Sequence, residues 1–408
     1  VQRVCSILDN SNHNSWHEVL KLKSVAILGS TGSVGTQAIE VAINLGMRVS
    51  AISANENLDL LEQQINRLKP EIACLANSQK AKALAQRIGP GIKTKITSGQ
   101  AGLVEAAIGS SAEIVLVATS GTHALEALHA AIKASKTIAL ANKEALVSAG
   151  SIIIAEAKRS GSQIIPVDSE HSAIYQCLEG SNGEFEKILL TCSGGPFKNL
   201  SKEELAMVDS KQALMHPTWS MGKKITIDSS TLMNKGFEVI EASWLFCAPP
   251  EKIQVLIHPQ SIVHSAVEFA DGIAIAQMGV PDMRGPIQYA LAEKKRVKGL
   301  CGSLSWPGLQ LTFDEPDLER FPCLALAYEA LVHGGSMALA LTSANDLAVD
   351  AFLEGRIGYY DIYDVNAQTC VKEQIADPAS IAQVIELEKS AKARAKGIID
   401  AIASKRGR

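Results

Sequence analysis

Aromatic side chains are scarce in this sequence: Phe, Trp and Tyr together make up 4% of its 408 residues. Hydrophobic residues still reach 47%, so the core has to be aliphatic and rich in alanine. The eight cysteines (Cys5, Cys74, Cys177, Cys192, Cys247, Cys301, Cys323, Cys370) include no C-x-x-C pair. In a chain this long they read as reduced thiols of a cytosol-like compartment, not as a disulfide framework. Long apolar runs are missing too. Stretches such as Ser151-Ile-Ile-Ile-Ala155 fall far short of the roughly 20 residues of a membrane span, so no membrane association is expected. Residues 1–23 lack the apolar region of a secretory signal and read as a tail, a tag scar or the stub of a targeting peptide. Net charge is −4 and no long basic run lies outside the extreme C-terminus, which argues against a nucleic-acid footprint. There is no G-x-S-x-G elbow, Walker A loop or H-E-x-x-H helix.

What is present is a rhythm. From residue 24 to about 192, short β-rich runs (Val25–Leu28, Val49–Ser53, Ile72–Leu75, Ile114–Ala118, Thr137–Leu140, Gln163–Val167, Lys187–Thr191) alternate with helical patterns. The helical patterns cover Thr36–Leu45, Leu58–Leu68, Ser78–Ile88, Ala124–Ala134 and Leu146–Ser160. This alternation predicts an α/β fold that begins with a doubly wound, Rossmann-like parallel sheet. Ligands of such sheets bind beyond the carboxyl ends of the strands. Between about 193 and 292, turn-rich segments flank one strong helix and a hairpin-like pair, Val255–Ile257 and Val263–Phe269. The expected division is an extension (1–23), a dinucleotide-binding domain (24–168), an α/β catalytic domain (169–292), a linker (293–318) and a C-terminal helical domain (319–408).

The first turn is Gly29-Ser-Thr-Gly32-Ser-Val-Gly35. Glycines there allow a tight strand-to-helix turn and let backbone N–H groups approach a diphosphate at the helix N-terminus. Thr31 and Ser33 add hydroxyls. The spacing is G-x-x-G-x-x-G, and the alternative is a plain tight turn. The second strand ends in Asn55-Glu56-Asn57. An acid at that place favours the free ribose hydroxyl of NAD over the phosphate of NADP, unless Glu56 is simply a surface residue.

Asp168 and Glu170 follow the sixth run. Two apart, they face the same way in an extended segment and suit Mg²⁺ or Mn²⁺; alternatively one caps the helix that begins at Ser172. In Asp228-Ser-Ser-Thr-Leu-Met-Asn-Lys-Gly-Phe-Glu238, Asn234 and Glu238 are i,i+4 neighbours and Lys235 and Glu238 are i,i+3. Glu238 is a candidate third carboxylate, and Ser229 with Lys235 a phosphate site, against a merely salt-linked helix. Ser193-Gly-Gly-Pro196 reads as an anion-binding nest or an ordinary turn. His216-Pro-Thr-Trp219-Ser-Met221-Gly222 reads as a water-excluding lid or a loop pinned by one buried Trp. His258 and His264 read as satisfied core histidines, and Cys192 has no identified base.

Taken in order, these segments resemble the 1-deoxy-D-xylulose 5-phosphate reductoisomerase family. The resemblance rests on 29–35, Leu-Ala-Asn-Lys-Glu (140–144), Pro-Val-Asp-Ser-Glu-His (166–171), Ser-Gly-Gly-Pro-Phe (193–197) and 216–222. It continues through Met-Asn-Lys-Gly-Phe-Glu (233–238), Ile-His-Pro-Gln-Ser (257–261) and Pro-Asp-Met-Arg (281–284). It implies an NADPH- and metal-dependent enzyme that rearranges and reduces a sugar phosphate to 2-C-methyl-D-erythritol 4-phosphate in the non-mevalonate isoprenoid pathway. Asp168, Glu170 and Glu238 would hold Mg²⁺ or Mn²⁺. Lys143, Ser169, Glu170, Ser193, His216, Ser229, Asn234, Lys235 and Glu238 would contact substrate, with Ser193, Ser229, Asn234 and Lys235 at the phosphate. Catalysis would fall to Lys143, Glu170 and Glu238, with Lys143 and Glu170 handling protons. The loop carrying His216, Trp219 and Met221 would be the flap. Gly29, Thr31, Gly32, Ser33, Val34, Asn57, Asn142, Glu144 and Gly222 would contact NADPH.

The resemblance also implies a homodimer in a bacterial cytosol or plastid-like stroma. It reverses the NAD preference suggested by Glu56 and raises the question of how Asn55-Glu56-Asn57 receives the 2′-phosphate. Two rivals remain at this point: a semialdehyde or homoserine type of NAD(P)-dependent dehydrogenase, and a non-catalytic dinucleotide-sensing regulator.

Overall fold

The computed structural model describes residues 23–406, apart from positions 90, 182, 216–221 and 374. Two compact units emerge. One comprises Val1–Asn142, Glu156–Asp168 and Asp282–Gly302; the other comprises Lys143–Ala155, Ser169–Pro281 and Ser303–Arg408.

In the first unit the chain runs β1 (Ser24–Leu28), α1 (Ser33–Asn44), β2 (Arg48–Ala54), α2 (Leu58–Leu68), β3 (Ile72–Leu75) and α3 (Ser78–Arg87). It continues through β4 (Lys95–Ser98), α4 (Gly99–Ile108), β5 (Ile114–Val117), α5 (Leu125–Lys133) and β6 (Thr137–Leu140). Helix α6 (Lys143–Ser160), broken at Ala149, belongs to the second unit as far as Ala155 and returns to the first at Glu156, leading to β7 (Ile164–Pro166). All seven strands are parallel, in the order β4-β3-β2-β1-β5-β6-β7. The order reverses at β1, so a crevice opens between the carboxyl ends of β1 and β5, where such sheets take their ligands. The core cluster here is Val, Ile, Leu, Ala and Met, without one aromatic ring, as the composition predicted.

Strand β4 and helix α4 were not anticipated. Lys-Ile-Thr-Ser is an edge strand with no fully buried residue, so it lacks the apolar run that marks its neighbours.

The second unit contains α7 (Ser169–Cys177), β8 (Lys187–Cys192), α8 (Lys202–Ala206), α9 (Ser210–Ala213), α10 (Lys223–Ser230) and α11 (Met233–Phe246). Strands β9 (Ile253–Ile257), β10 (Val263–Glu268) and β11 (Ala274–Met278) follow. After α12 (Arg284–Leu291), which packs on α1 in the first unit, come α13 (Pro322–His333), α14 (Met337–Leu353), α15 (Asp361–Val371) and α16 (Ile381–Lys405). The expected linker thus contributes its first part, to Gly302, to the first unit, and the C-terminal helices group with the second.

The hairpin expected of β9 with β10 does not form. The sheet order is β11-β10-β8-β9, with β8 between them, parallel to β9 and antiparallel to β10. The five-residue connection 258–262 bridges the end of β8. Its ties are the His258 N–H to the Cys192 carbonyl (2.6 Å) and the imidazole itself. Nδ1 donates to the Thr312 carbonyl (2.8 Å), while Nε2 accepts from the Ile262 and Val263 N–H groups at 3.2 and 3.1 Å. One tautomer satisfies all three bonds, so His258 is a structural turn-former, in keeping with its reading as a core histidine.

Candidate active site

The glycine loop is shaped by contacts that only glycine permits. Gly29 has φ +89°, and a Cβ there would lie 2.7 Å from the Ala118 carbonyl oxygen, at the end of β5. A Cβ on Gly35 would lie 2.1 Å from the Gly29 carbonyl oxygen. Gly32, by contrast, has room for one at ordinary contact distance and serves as the N-cap of α1 without a side-chain bond. Two glycines therefore build the turn, and the third exposes the helix N-terminus to anions. The loop is pinned from behind by residues the sequence reading did not single out. Ser53 Oγ accepts from the Gly29 N–H (3.0 Å), and Ser30 and Gln64 exchange two bonds at 2.6 and 2.9 Å.

Thr31, Ser33 and Val34 line the crest of this loop. Asn142 is buried and donates to the carbonyls of Thr119 (2.5 Å) and Gly121 (2.8 Å), fixing the loop after β5 on the other side of the crevice. Asn57 caps α2 by accepting from the Leu60 N–H at 3.2 Å. Glu144 and Gly222 belong to the second unit. There Glu144 lies 3.6 Å from Lys224, and Gly222 is the N-cap of α10.

The carboxylates are organised by two helix starts. Ser169 and Glu170 lie in the first turn of α7, not in an extended segment, and that helix begins three residues before the expected Ser172. Asp168 immediately precedes it. On α11, Glu238 sits one turn beyond Asn234 and Lys235, as the i,i+4 and i,i+3 spacing predicted. Oxygens of Asp168, Glu170 and Glu238 lie within 4.8 Å of one another.

Glu238 is 1% exposed, so its charge must be met. Lys143, the first residue of α6, donates to Glu238 (3.0 Å) and to Asn234 (2.8 Å), and Asn234 donates to Glu238 at 2.5 Å. Lys235 donates to Glu170 (2.8 Å), to the Thr191 carbonyl (2.6 Å) and to Glu238. Burial pulls Lys235 down, but attraction to Glu170 and Glu238 outweighs it and holds the ammonium above its ordinary value. Two cations and three carboxylates, with Asp168 and Glu170 partly exposed, leave a single net negative charge, which favours binding of a further cation.

The phosphate candidates stand beside this cluster. Gly194 (φ +83°) and Gly195 (φ +68°) are both left-handed, and a Cβ on Gly195 would lie 2.7 Å from the Ser229 carbonyl oxygen. The loop after β8 therefore passes directly over the end of α10, bringing Ser193 and Ser229 to neighbouring backbone segments. Cys192 precedes it, and burial pushes that thiol up to about 11, consistent with no nucleophilic role. His216, Trp219 and Met221 lie outside the described residues.

The sequence reading missed two groups. His171 and Glu241 are fully buried behind Glu238, with Nδ1 of His171 3.5 Å from Glu241 and Nε2 donating to the Glu238 carbonyl at 2.9 Å. With Asp168 they form a second set of close ligand-type atoms. Glu241 is i,i+3 from Glu238, a signal that was available. The other group is a relay across α10, α14 and α15. Lys224 donates to Asp228 (2.7 Å), Asn345 donates to Asp228 (2.7 Å) and Asn366 donates to Asn345 (3.0 Å).

A doubly wound sheet with a glycine-shaped first turn, joined in one chain to a carboxylate–ammonium cluster, defines an α/β oxidoreductase with a cation-binding acidic centre. Comparisons narrow that class. Residues 25–150 match the family model for 1-deoxy-D-xylulose 5-phosphate reductoisomerase, and 164–246 and 278–394 match models of its C-terminal domains. A Ruminiclostridium cellulolyticum relative of that name is 47% identical, covering 92% of this chain and 99% of its own length. One from Lachnospira eligens is 48% identical over 90% of this chain and 97% of its own. A solved structure of the Zymomonas mobilis enzyme in complex with NADPH is 40% identical, with TM-score 0.86, covering 92% of this chain and 99% of that one. Another, a DOX-P reductoisomerase in complex with NADPH, fosmidomycin and magnesium, is 37% identical with TM-score 0.87, over 93% and 98%. The chain belongs to the 1-deoxy-D-xylulose 5-phosphate reductoisomerase family.

Proposed function

We propose that this chain is an NADPH- and divalent-metal-dependent oxidoreductase that rearranges and reduces 1-deoxy-D-xylulose 5-phosphate to 2-C-methyl-D-erythritol 4-phosphate, in the non-mevalonate route to isoprenoid precursors. The observation that carries this reading is the set of three carboxylates within 4.8 Å, in a chain of this family. Hard oxygen donors at that spacing fit Mg²⁺ or Mn²⁺. When bound, the metal polarises adjacent carbonyl and hydroxyl oxygens and NADPH supplies hydride.

The chain's own residues hold and orient. Asp168, Glu170 and Glu238 take the cation. Lys143 and Glu170 are the proton handlers, with Lys143 kept in place by Asn234 and Glu238. Ser193, Ser229 and Asn234 receive the phosphate. Lys235 spends three donors on Glu170, Glu238 and Thr191, so it reaches the phosphate only by giving one up. Backbone N–H groups at the start of α1, with Thr31 and Ser33, hold the diphosphate of the dinucleotide. The family resemblance adds Glu144 and Gly222 to the cofactor contacts, and His216, Trp219 and Met221 as the closing flap.

The test is NADPH oxidation with 1-deoxy-D-xylulose 5-phosphate, with and without EDTA and with NADH for comparison. Substrate-dependent oxidation that EDTA abolishes and Mg²⁺ or Mn²⁺ restores is the expected result. Metal-independent reduction, or cofactor binding without turnover, would return the chain to the dehydrogenase or regulator reading.

Homodimerisation is supported by the edge of the second sheet, where Ile275 of β11 is 48% exposed and Ile273, just before that strand, 59% exposed. Light scattering should give twice the chain mass. Among the described residues no helix is long and apolar enough to cross a membrane, and the seven described cysteines are all free. The bacterial relatives support a bacterial cytosol, and the plastid-like stroma rests on the family resemblance.

A further inference from the structure

The carboxyl end of β2 is where a doubly wound sheet meets the adenosine ribose, and here it carries Glu56. A carboxylate accepts the ribose 2′-hydroxyl of NADH but repels the 2′-phosphate of NADPH, so the chain needs a cation from elsewhere. The fold supplies one. The Ala76 N–H donates to the Ala54 carbonyl at 3.0 Å, laying the turn after β3 alongside the end of β2. Helix α3 starts from that turn, its first N–H groups capped by Asn77. Lys80, in its first turn, reaches back to Glu56, donating to the carbonyl at 3.2 Å and to the carboxylate at 3.4 Å. Glu56 is itself fixed, because its carbonyl also accepts from the Leu58 N–H at 2.9 Å. Both side chains remain open to a ligand, with Lys80 42% and Glu56 64% exposed.

We propose that Lys80 is the specificity-determining residue for the 2′-phosphate, and that Glu56 tunes it as a counter-ion. This rests on the NADPH reading above. Among the described residues the Lys80 ammonium pairs with Glu56 alone, and it neutralises the acid at the ribose end. A 2′-phosphate, carrying nearly two negative charges, competes with that single carboxylate for the same ammonium. Removing Lys80 leaves Glu56 to repel the phosphate; removing the charge of Glu56 frees Lys80 for it.

The test is calorimetric binding of 2′,5′-ADP and of 5′-AMP to the full chain, alongside kcat/KM for NADPH and NADH. Lys80→Ala should weaken 2′,5′-ADP roughly tenfold or more relative to 5′-AMP, and lower the NADPH/NADH preference by a similar factor. Lys80→Arg should retain most of the preference, and Glu56→Gln should raise it several-fold. Equal weakening of both nucleotides in Lys80→Ala, or none, would overturn the assignment to Lys80 while leaving the cofactor reading intact. A wild-type chain that binds neither nucleotide would overturn both.

Discussion

The glycine loop of the first unit and the ion cluster around Glu238 in the second solve opposite problems. The loop must remove atoms: at Gly29 and Gly35 a single added carbon would fall within 2.7 and 2.1 Å of a carbonyl oxygen. The cluster must add charge, because Glu238 is almost fully buried and is held by Lys143, Asn234 and Lys235. A binding surface made of backbone is therefore sensitive to volume and indifferent to charge. A centre made of buried ions should show the reverse.

Glu238→Gln keeps the volume and removes one charge, so it gives the largest expected effect. Turnover should fall on the order of 10³-fold, with weaker metal dependence, while circular dichroism stays unchanged. Full activity in that variant without added metal would break the comparison at its strongest point. Gly35→Ala does the opposite, adding volume without charge. Overpacking against backbone should cost about 3 kcal/mol or more in urea unfolding.

Asp346 offers a test of the ionic side by pH. Burial, aided by Glu144 and opposed by Lys224, raises its carboxyl from 3.8 to about 6. The folded state then holds that proton more tightly than the unfolded one, so stability is lost as pH climbs from about 4 to about 6. Asp346→Asn should abolish this loss, gaining about 1–3 kcal/mol on the parent between pH 4 and 7 in urea titrations; an unchanged difference would remove Asp346 from the account. The smallest stability effect should come from Gly32→Ala, within about 1 kcal/mol, since the added carbon meets only an ordinary contact. NADPH titration of the same variant should nevertheless show weaker binding if, as proposed above, the diphosphate approaches the crest.

What the sequence disclosed follows the range of the interaction. β1 to β3 and β5 to β8 announce themselves as short apolar runs, whereas the polar edge strand β4 has none. Helical spacing brought Asn234, Lys235 and Glu238 together correctly because i,i+3 and i,i+4 are local facts. For Asp168 and Glu170 the proximity was right and its reason was not, since a helix start and not an extended segment places them. The β9–β10 pairing failed because the strand between them, Lys187–Cys192, comes from well before Ile253 in the chain, and local pattern carries no register. Asn345, which bonds Asp228 across the fold, was equally out of reach.

The aliphatic core of the first unit has an optical consequence. Its described residues contain no tryptophan or phenylalanine and a single tyrosine, Tyr289, whereas Trp244 and Trp306 lie in the second unit. Apart from Trp16 and Trp219, which lie outside the described residues, intrinsic fluorescence comes from the second unit. Emission from a bound reduced nicotinamide then rises against a dark sheet. In variants with Trp16 and Trp219 replaced by Phe, fluorescence melts would follow one half of the molecule while circular dichroism follows both.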